Sequence, residues 1–289
     1  MKKLISMLII TSILIILMPL GVLADQADVV IFGADITQSQ RQEMLKIFNV
    51  NENDVMILTV TNDEEREYLE GLVPEQQIGT RAISSAYVKL APENSGIKVE
   101  TYNITWVTKE MYANAMVTAG IEDAEVIAAA PFKVSGTAAL TGIMKAFEKA
   151  SGKKLSQEAK KTASEELVLT GDLGEEIGKD KAAKLVQDVK RQVVKQKIKN
   201  PEDIRNVIKK IAAELDIELT EEQINQIMDL MKRISKLDLD INKISKQLDK
   251  ISSTLGDVKK TVEENKGLIQ KILDAINHFF RWLQSVFSS

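Results

Sequence analysis

Everything that reads as β-strand in this chain lies between residue 28 and about residue 150, and from Ser156 onward only helical periodicity remains. That division limits the fold to a sheet with its own helices, followed by an all-helical second half. The class is α+β, or α/β if the sheet is mostly parallel. Val29–Phe32 is a short apolar run suited to a buried strand. Thr37 followed by Gln40 is a capping box, opening a helix with Met44, Leu45 and Phe48 on one face. Val55–Val60 is a second strand, ended by Asn62-Asp63, and Glu64–Leu69 is a short helix. Ala86–Leu90 and Ile97–Val107 are strands joined by Pro92-Glu93-Asn94-Ser95-Gly96, which predicts a hairpin. Lys109–Ala119 is a helix closed by Gly120, Ala124–Ala130 a strand ended by Pro131, and Thr137–Ala150 a helix closed by Gly152.

The second half begins with helical stretches at Ser156–Glu166, Asp180–Lys197 and Pro201–Leu215, the last with Asn200 as cap and proline in its first turn. Between Lys179 and Lys210 eleven basic residues face four acids. Lysines spread around solvated helices would give that count, and so would a patch for anionic envelope polymer or lipid headgroups. Thr220 and Gln223 form another capping box. From there Ile227, Leu230, Ile234, Leu237, Ile241, Ile244, Leu248 and Ile251 alternate steps of three and four. The series runs on to Val286 with Asn265 as its lone polar member. A period of 3.5 held this long predicts a long C-terminal coiled-coil-like helix, and self-association through residues 227–286. Leu268–Phe287 widens the apolar side, which suits either a membrane surface or packing within the protein.

The N-terminus has the form of an export signal. Lys2 and Lys3 precede the uncharged run Leu4–Leu20, and Val22-Leu23-Ala24 offers a cleavage site before Asp25. An uncleaved anchor is the alternative. The expected organisation is therefore a signal peptide over 1–24, an α/β domain over 25–152, a helical region over 153–219 and coiled-coil or amphipathic helices over 220–289. Removing residues 1–24, which hold two lysines and no acid, moves the net charge from -4 to -6. That balance argues against general nucleic-acid binding. The chain has no cysteine and a single histidine, His278. Disulfides and thiol catalysis are excluded, histidine triads and multi-histidine metal sites are disfavoured, and no metal or cofactor is expected.

Two groups of residues are candidates for function. Ser135, Gly136, Thr137 and Thr141 join a strand to a helix, where small residues and hydroxyls at a helix N-terminus suit an anion. Small residues also let a helix approach a sheet closely. A Ser-Lys nucleophile drawn from Ser135 with Lys133 or Lys145 lacks any sequence feature that fixes its geometry. Thr61, Asn62, Arg81 and Ser84 are further polar candidates for a cleft, although Thr61 with the acids after it is most simply a helix cap.

Several stretches together carry a family resemblance. They include Val60-Thr61-Asn62-Asp63-Glu64-Glu65, Gly79-Thr80-Arg81-Ala82-Ile83-Ser84-Ser85-Ala86 and Asn103-Ile104-Thr105-Trp106-Val107-Thr108. Met111-Tyr112-Ala113-Asn114-Ala115, Thr118-Ala119-Gly120-Ile121 and Ala129-Ala130-Pro131-Phe132-Lys133-Val134-Ser135-Gly136-Thr137-Ala138-Ala139-Leu140-Thr141-Gly142 complete them. Over about residues 28–235 the chain resembles exported proteins of Gram-positive bacteria grouped as domain of unknown function 1002. The resemblance implies an extracytoplasmic protein and brings no catalytic or binding residue with it. The expectation is a secreted or envelope-associated, non-catalytic binding or scaffold module. The alternatives are an extracytoplasmic hydrolase or transferase using Ser, Thr, Lys or carboxylate groups, and a membrane-surface protein acting through its last helix.

Overall fold

The structure, a computed structural model, describes residues 28–72, 78–240 and 242–251. The export segment, the heptad position Ile241 and everything beyond Ile251, the 268–287 stretch included, lie outside the described residues. The first half forms β1 (Val29–Gly33), α1 (Gln38–Phe48), β2 (Met56–Val60), α2 (Asn62–Leu69), β3 (Ser85–Leu90), β4 (Ile97–Ile104), α3 (Lys109–Ala119), β5 (Ala124–Val134) and α4 (Thr137–Ser151). Helices α5 (Gln157–Ile177), α6 (Lys179–Lys195), α7 (Pro201–Glu214) and α8 (Glu221–Ile234) follow, and α9 covers 242–251. The fold is α+β, as the split in the sequence requires.

The five strands form one mixed sheet in the order β2-β1-β3-β5-β4. β1 is parallel to β2 and β4 to β5, while β3 is antiparallel to both its neighbours. The expected β3–β4 hairpin is therefore corrected, because β5 lies between the two strands. A two-residue turn joins adjacent strands, whereas the link 91–96 has to span two strand spacings of about 4.8 Å each. Asp123, just before β5, holds that link across the gap. Its carboxylate accepts from the Asn94 N–H at 2.9 Å and the Gly96 N–H at 2.7 Å.

Alternation along the strands sends Ile31, Ala86, Val126 and Ala128 to one face, packed beneath α3 and α4. Val30, Phe32 and Ala129 go to the other face, against Met44, Leu45 and Phe48 of α1. The cap expected at Thr37 is formed, with both bonds of its capping box. The first face continues outward into α5–α9, and one buried cluster runs from Val29 to Ile251. Helix α5 is longer than the expected Ser156–Glu166 because Gly171 does not end it. A Cβ at Gly171 would lie 2.3 Å from the Trp106 ring, so this glycine makes room for an indole inside the helix layer.

The single long helix expected from residue 220 is two helices. α8 ends at Ile234, a non-helical link follows, and Asp240 restarts the chain by accepting from the N–H groups of Asn242 and Lys243 at 2.9 and 3.2 Å. The bend carries α9 back to the sheet edge, where Gln247 donates to Asp123 at 3.1 Å and Lys243 pairs with Glu122 at 3.0 Å. Ile227, Leu230, Ile234, Ile244, Leu248 and Ile251 are buried inside the chain. The first part of the heptad stripe thus finds its partner intramolecularly.

Candidate functional site at the carboxyl edge of the sheet

Strands β1, β2, β4 and β5 share one direction, so their C-terminal ends and the start of β3 meet at one edge of the sheet. β1 hands the chain to α1 on one face, and β2 and β5 hand it to α2 and α4 on the other. Such divergence is where open sheets place ligand crevices. Thr61, Asn62, Arg81, Ser84, Ser135, Gly136 and Thr137 all come to this edge, while Thr141 is one helical turn into α4.

Two lacings of hydrogen bonds close the edge. In the first, the Asp35 carboxylate accepts from the Ala82 N–H at 2.7 Å, and Arg81 donates to the Asp35 carbonyl at 2.9 Å. Ser84 is buried beside them. In the second, the N–H groups of Trp106 and Val107 both donate to the Ser135 carbonyl, at 3.3 and 3.1 Å. The Thr105 hydroxyl donates to Val134 at 2.9 Å. Thr61 caps α2: its hydroxyl accepts from the Glu64 N–H at 3.2 Å, and Glu64 accepts from the Thr61 N–H at 2.9 Å. Lys145 donates to Glu64 at 2.5 Å and to the Thr59 carbonyl at 2.8 Å. At the start of α4 the Ser135 and Thr137 hydroxyls lie 3.4 Å apart.

At the centre is Glu65 of α2, which is not among the polar candidates the sequence offers. It is 1% exposed. Asn62 donates to its Oε2 at 3.4 Å, and Asn62 in turn accepts from Arg66 Nε at 2.9 Å. Burial drives the Glu65 carboxyl up to about 7, against the opposing hydrogen bonds from Thr137 and Asn62 and the charge of Arg66. Its Oε1 has no hydrogen-bond partner. Thr137 is the first residue of α4, so the N-terminus of that helix already faces an acid from inside the protein, which is the group such a terminus favours. Behind it the buried Tyr112 hydroxyl donates to the Gly136 carbonyl at 2.5 Å. Burial first, then the nearby Glu65 charge, raises the Tyr112 phenol above its ordinary range.

Gly136 has φ +101°, and a Cβ there would lie 2.4 Å from Ile104 and 2.5 Å from the Tyr112 hydroxyl. A Cβ at Gly142 would likewise lie 3.1 Å from Ile31. Thr137 and Thr141 are buried. The small residues of this loop therefore have a packing reason for being small. The signal for Glu65 in the sequence was slight, an acid three residues before Tyr68-Leu69 on the inner face of a short helix.

A second polar cluster lies deeper, between α3, α5 and α6. Lys190 donates to Glu166 at 2.7 Å, to the Asn114 carbonyl at 2.7 Å and to Thr118 at 3.0 Å. Thr118 also bonds Glu166. Both charged side chains are 1% exposed. Burial lowers the Lys190 ammonium, and Glu166 opposes that shift. One of the lysines counted into the basic stretch is thus a core residue. It falls in helical register with Val186 and Val193, and that register was the legible clue.

These elements define an α+β protein with a mixed five-stranded sheet, a closed carboxyl edge and a helical layer on one face. The chain belongs to the family described as "Protein of unknown function (DUF1002)", whose model matches residues 32–251. The match extends past the stretch whose resemblance is legible in the sequence and takes in the bend and α9. The uncharacterized protein YpuA of Bacillus subtilis (strain 168) is 40% identical over 291 residues, covering 99% of this chain and 100% of that protein. No solved structure matches. No helix among the described residues is long and apolar enough to cross a membrane.

Proposed function

We propose that this is an exported, non-catalytic binding or scaffold module of the cell envelope. The observation that carries the non-catalytic part is the closure of the carboxyl edge around Glu65. A general acid or base has to reach the proton it moves. The carboxyl whose pKa lies near 7 is instead walled in by Asn62, Thr137 and the neighbouring loops. Thr61, Arg81 and Lys145 are engaged in caps and loop bonds rather than converging on open space. Export is supported by the charged, apolar and small-residue parts of Met1–Ala24.

The test of export is the intact mass and N-terminal sequence of the protein recovered from medium and envelope fractions. The expected first residue is Asp25. A chain retaining Met1–Leu23 in the membrane fraction contradicts cleavage, and recovery solely from cytoplasm contradicts export.

A further inference from the structure

A cavity in the helical half lies away from the carboxyl edge. The end of α6, the link after it and the bend between α8 and α9 border a partly open cavity of about 610 Å3, within the usual range for small-molecule sites. Its floor is aliphatic, with Val194, Ile198, Leu237 and Leu239. Its rim is basic. Lys197, Lys199 and Lys236 are exposed on it, and their ammonium groups have no hydrogen-bonding or ionic partner among the described residues. Lys232 also lines the cavity and is paired with Asp229 at 3.0 Å. Asp238 is the one acid among the lining residues.

Lys197 stands at the C-terminal end of α6 in the left-handed conformation. Its φ is +54°, and it closes α6 by donating to Val194 while the Ile198 N–H donates to Val193, at 3.1 and 3.0 Å. Glycine is the ordinary occupant of such a closing position, because a Cβ is strained there. A lysine at the end of a helix complements the dipole, but Lys195 in the last turn already does that. Asp216 closes α7 at φ +53° with the same pair of bonds, so the left-handed backbone is an ordinary helix end, and what sets Lys197 apart is its unpaired ammonium group on the rim of the cavity.

We propose that this cavity binds a single-chain anionic amphiphile of fatty-acid type. The acyl chain lies on the aliphatic floor, and the carboxylate is received by Lys197, Lys199 and Lys236. An anionic polymer would use the rim and leave the floor empty. A neutral apolar molecule would use the floor and leave three unpaired ammonium groups facing the single carboxylate of Asp238. This deepens the binding-module reading and rests on it only for the class of activity.

The test is titration of the purified full chain with 11-(dansylamino)undecanoic acid, kept below its micellar concentration, with displacement by dodecanoate and by dodecanol. Saturable one-site binding is expected, displaced by dodecanoate far better than by dodecanol. Lys197→Gly removes the charge and relieves the positive φ. Its melting temperature should hold or rise while its affinity falls about tenfold, the scale of one charged contact. Lys236→Glu should weaken binding at least as much. Several results would overturn the proposal. One is the absence of saturable binding, as when residues 252–289 fill the cavity themselves. Others are equal displacement by dodecanol, unchanged affinity in Lys197→Gly, and binding to phosphatidylglycerol vesicles without binding of the monomeric probe. None of these outcomes bears on whether the chain is exported or retained by envelope material, so the two readings fail separately.

Discussion

Glu65→Gln should make the protein more stable at neutral and alkaline pH, by an amount that grows with pH in a defined window. The Glu65 carboxyl is raised from 4.5 to about 7 in the folded chain. Below pH 4.5 the group is protonated in both folded and unfolded states and has no effect on the pH dependence. Between 4.5 and about 7 the folded chain holds a proton that the unfolded chain has released, so rising pH destabilises the fold. Above about 7 both states are ionised and the penalty is constant. At 1.36 kcal/mol per pKa unit, the shift from 4.5 to about 7 corresponds to about 3 kcal/mol. Glutamine keeps the size of the side chain and cannot ionise. Urea denaturation followed by far-UV circular dichroism, from pH 4 to pH 8.5, should show the stability difference between variant and wild type growing by about that amount and levelling near pH 7.5. Other titrating groups act equally in both proteins and cancel. Two parallel pH profiles would refute the reasoning, because they would mean that the carboxyl ionises in the folded chain as easily as in the unfolded one.

Gly136→Val should destabilise the fold by about 3 kcal/mol or more, read as a lower urea midpoint, since a branched side chain meets both a left-handed backbone and two neighbours. A stable Gly136→Val protein would show that the loop has room, as an anion cradle requires. Lys190→Met should cost about 3–5 kcal/mol by leaving Glu166 buried without its cation, and adding Glu166→Gln should recover much of that loss. If the double variant is no more stable than Lys190→Met, the pair is not the coupled unit described here. Replacing Ile244 and Ile251 by Asp should lower the melting temperature independently of protein concentration, because both side chains are buried within the chain. A concentration-dependent loss of oligomer with unchanged melting would assign them to a seam between chains instead.

Local signals in the sequence located most elements well. Thr37, Thr61 and Thr220 cap helices with complete capping boxes, and Gly120 closes α3 in the left-handed conformation. Those features depend on neighbours within a few residues, which a single sequence displays directly. The failures are non-local. Nothing near Pro92–Gly96 reveals that β5 will insert between β3 and β4, because the tie to Asp123 comes from a residue 27 positions away. The 3.5-residue stripe from Ile227 suits a coiled coil and an intramolecular helix pair equally well, and the small stop-and-restart signal at Asp240 decides between them. The site candidates at the carboxyl edge were found by residue type, and topology does bring them together. Glu65 is not legible in the sequence because its character comes from burial, and Lys190 is masked by the basic residues around it although its register is that of Val186 and Val193.

The central claim is that the chain binds in the cell envelope without turning over what it binds. The most direct measurement incubates the purified protein with isolated cell wall and membrane, then follows bound protein and soluble products together by mass spectrometry over hours. The expected result is saturable retention on one of the two materials with no product above the protein-free control. Release of a product that rises linearly with time and protein concentration, and that is lost in Glu65→Gln or on changing Ser135 or Lys145, would contradict the claim and make the carboxyl edge an active site.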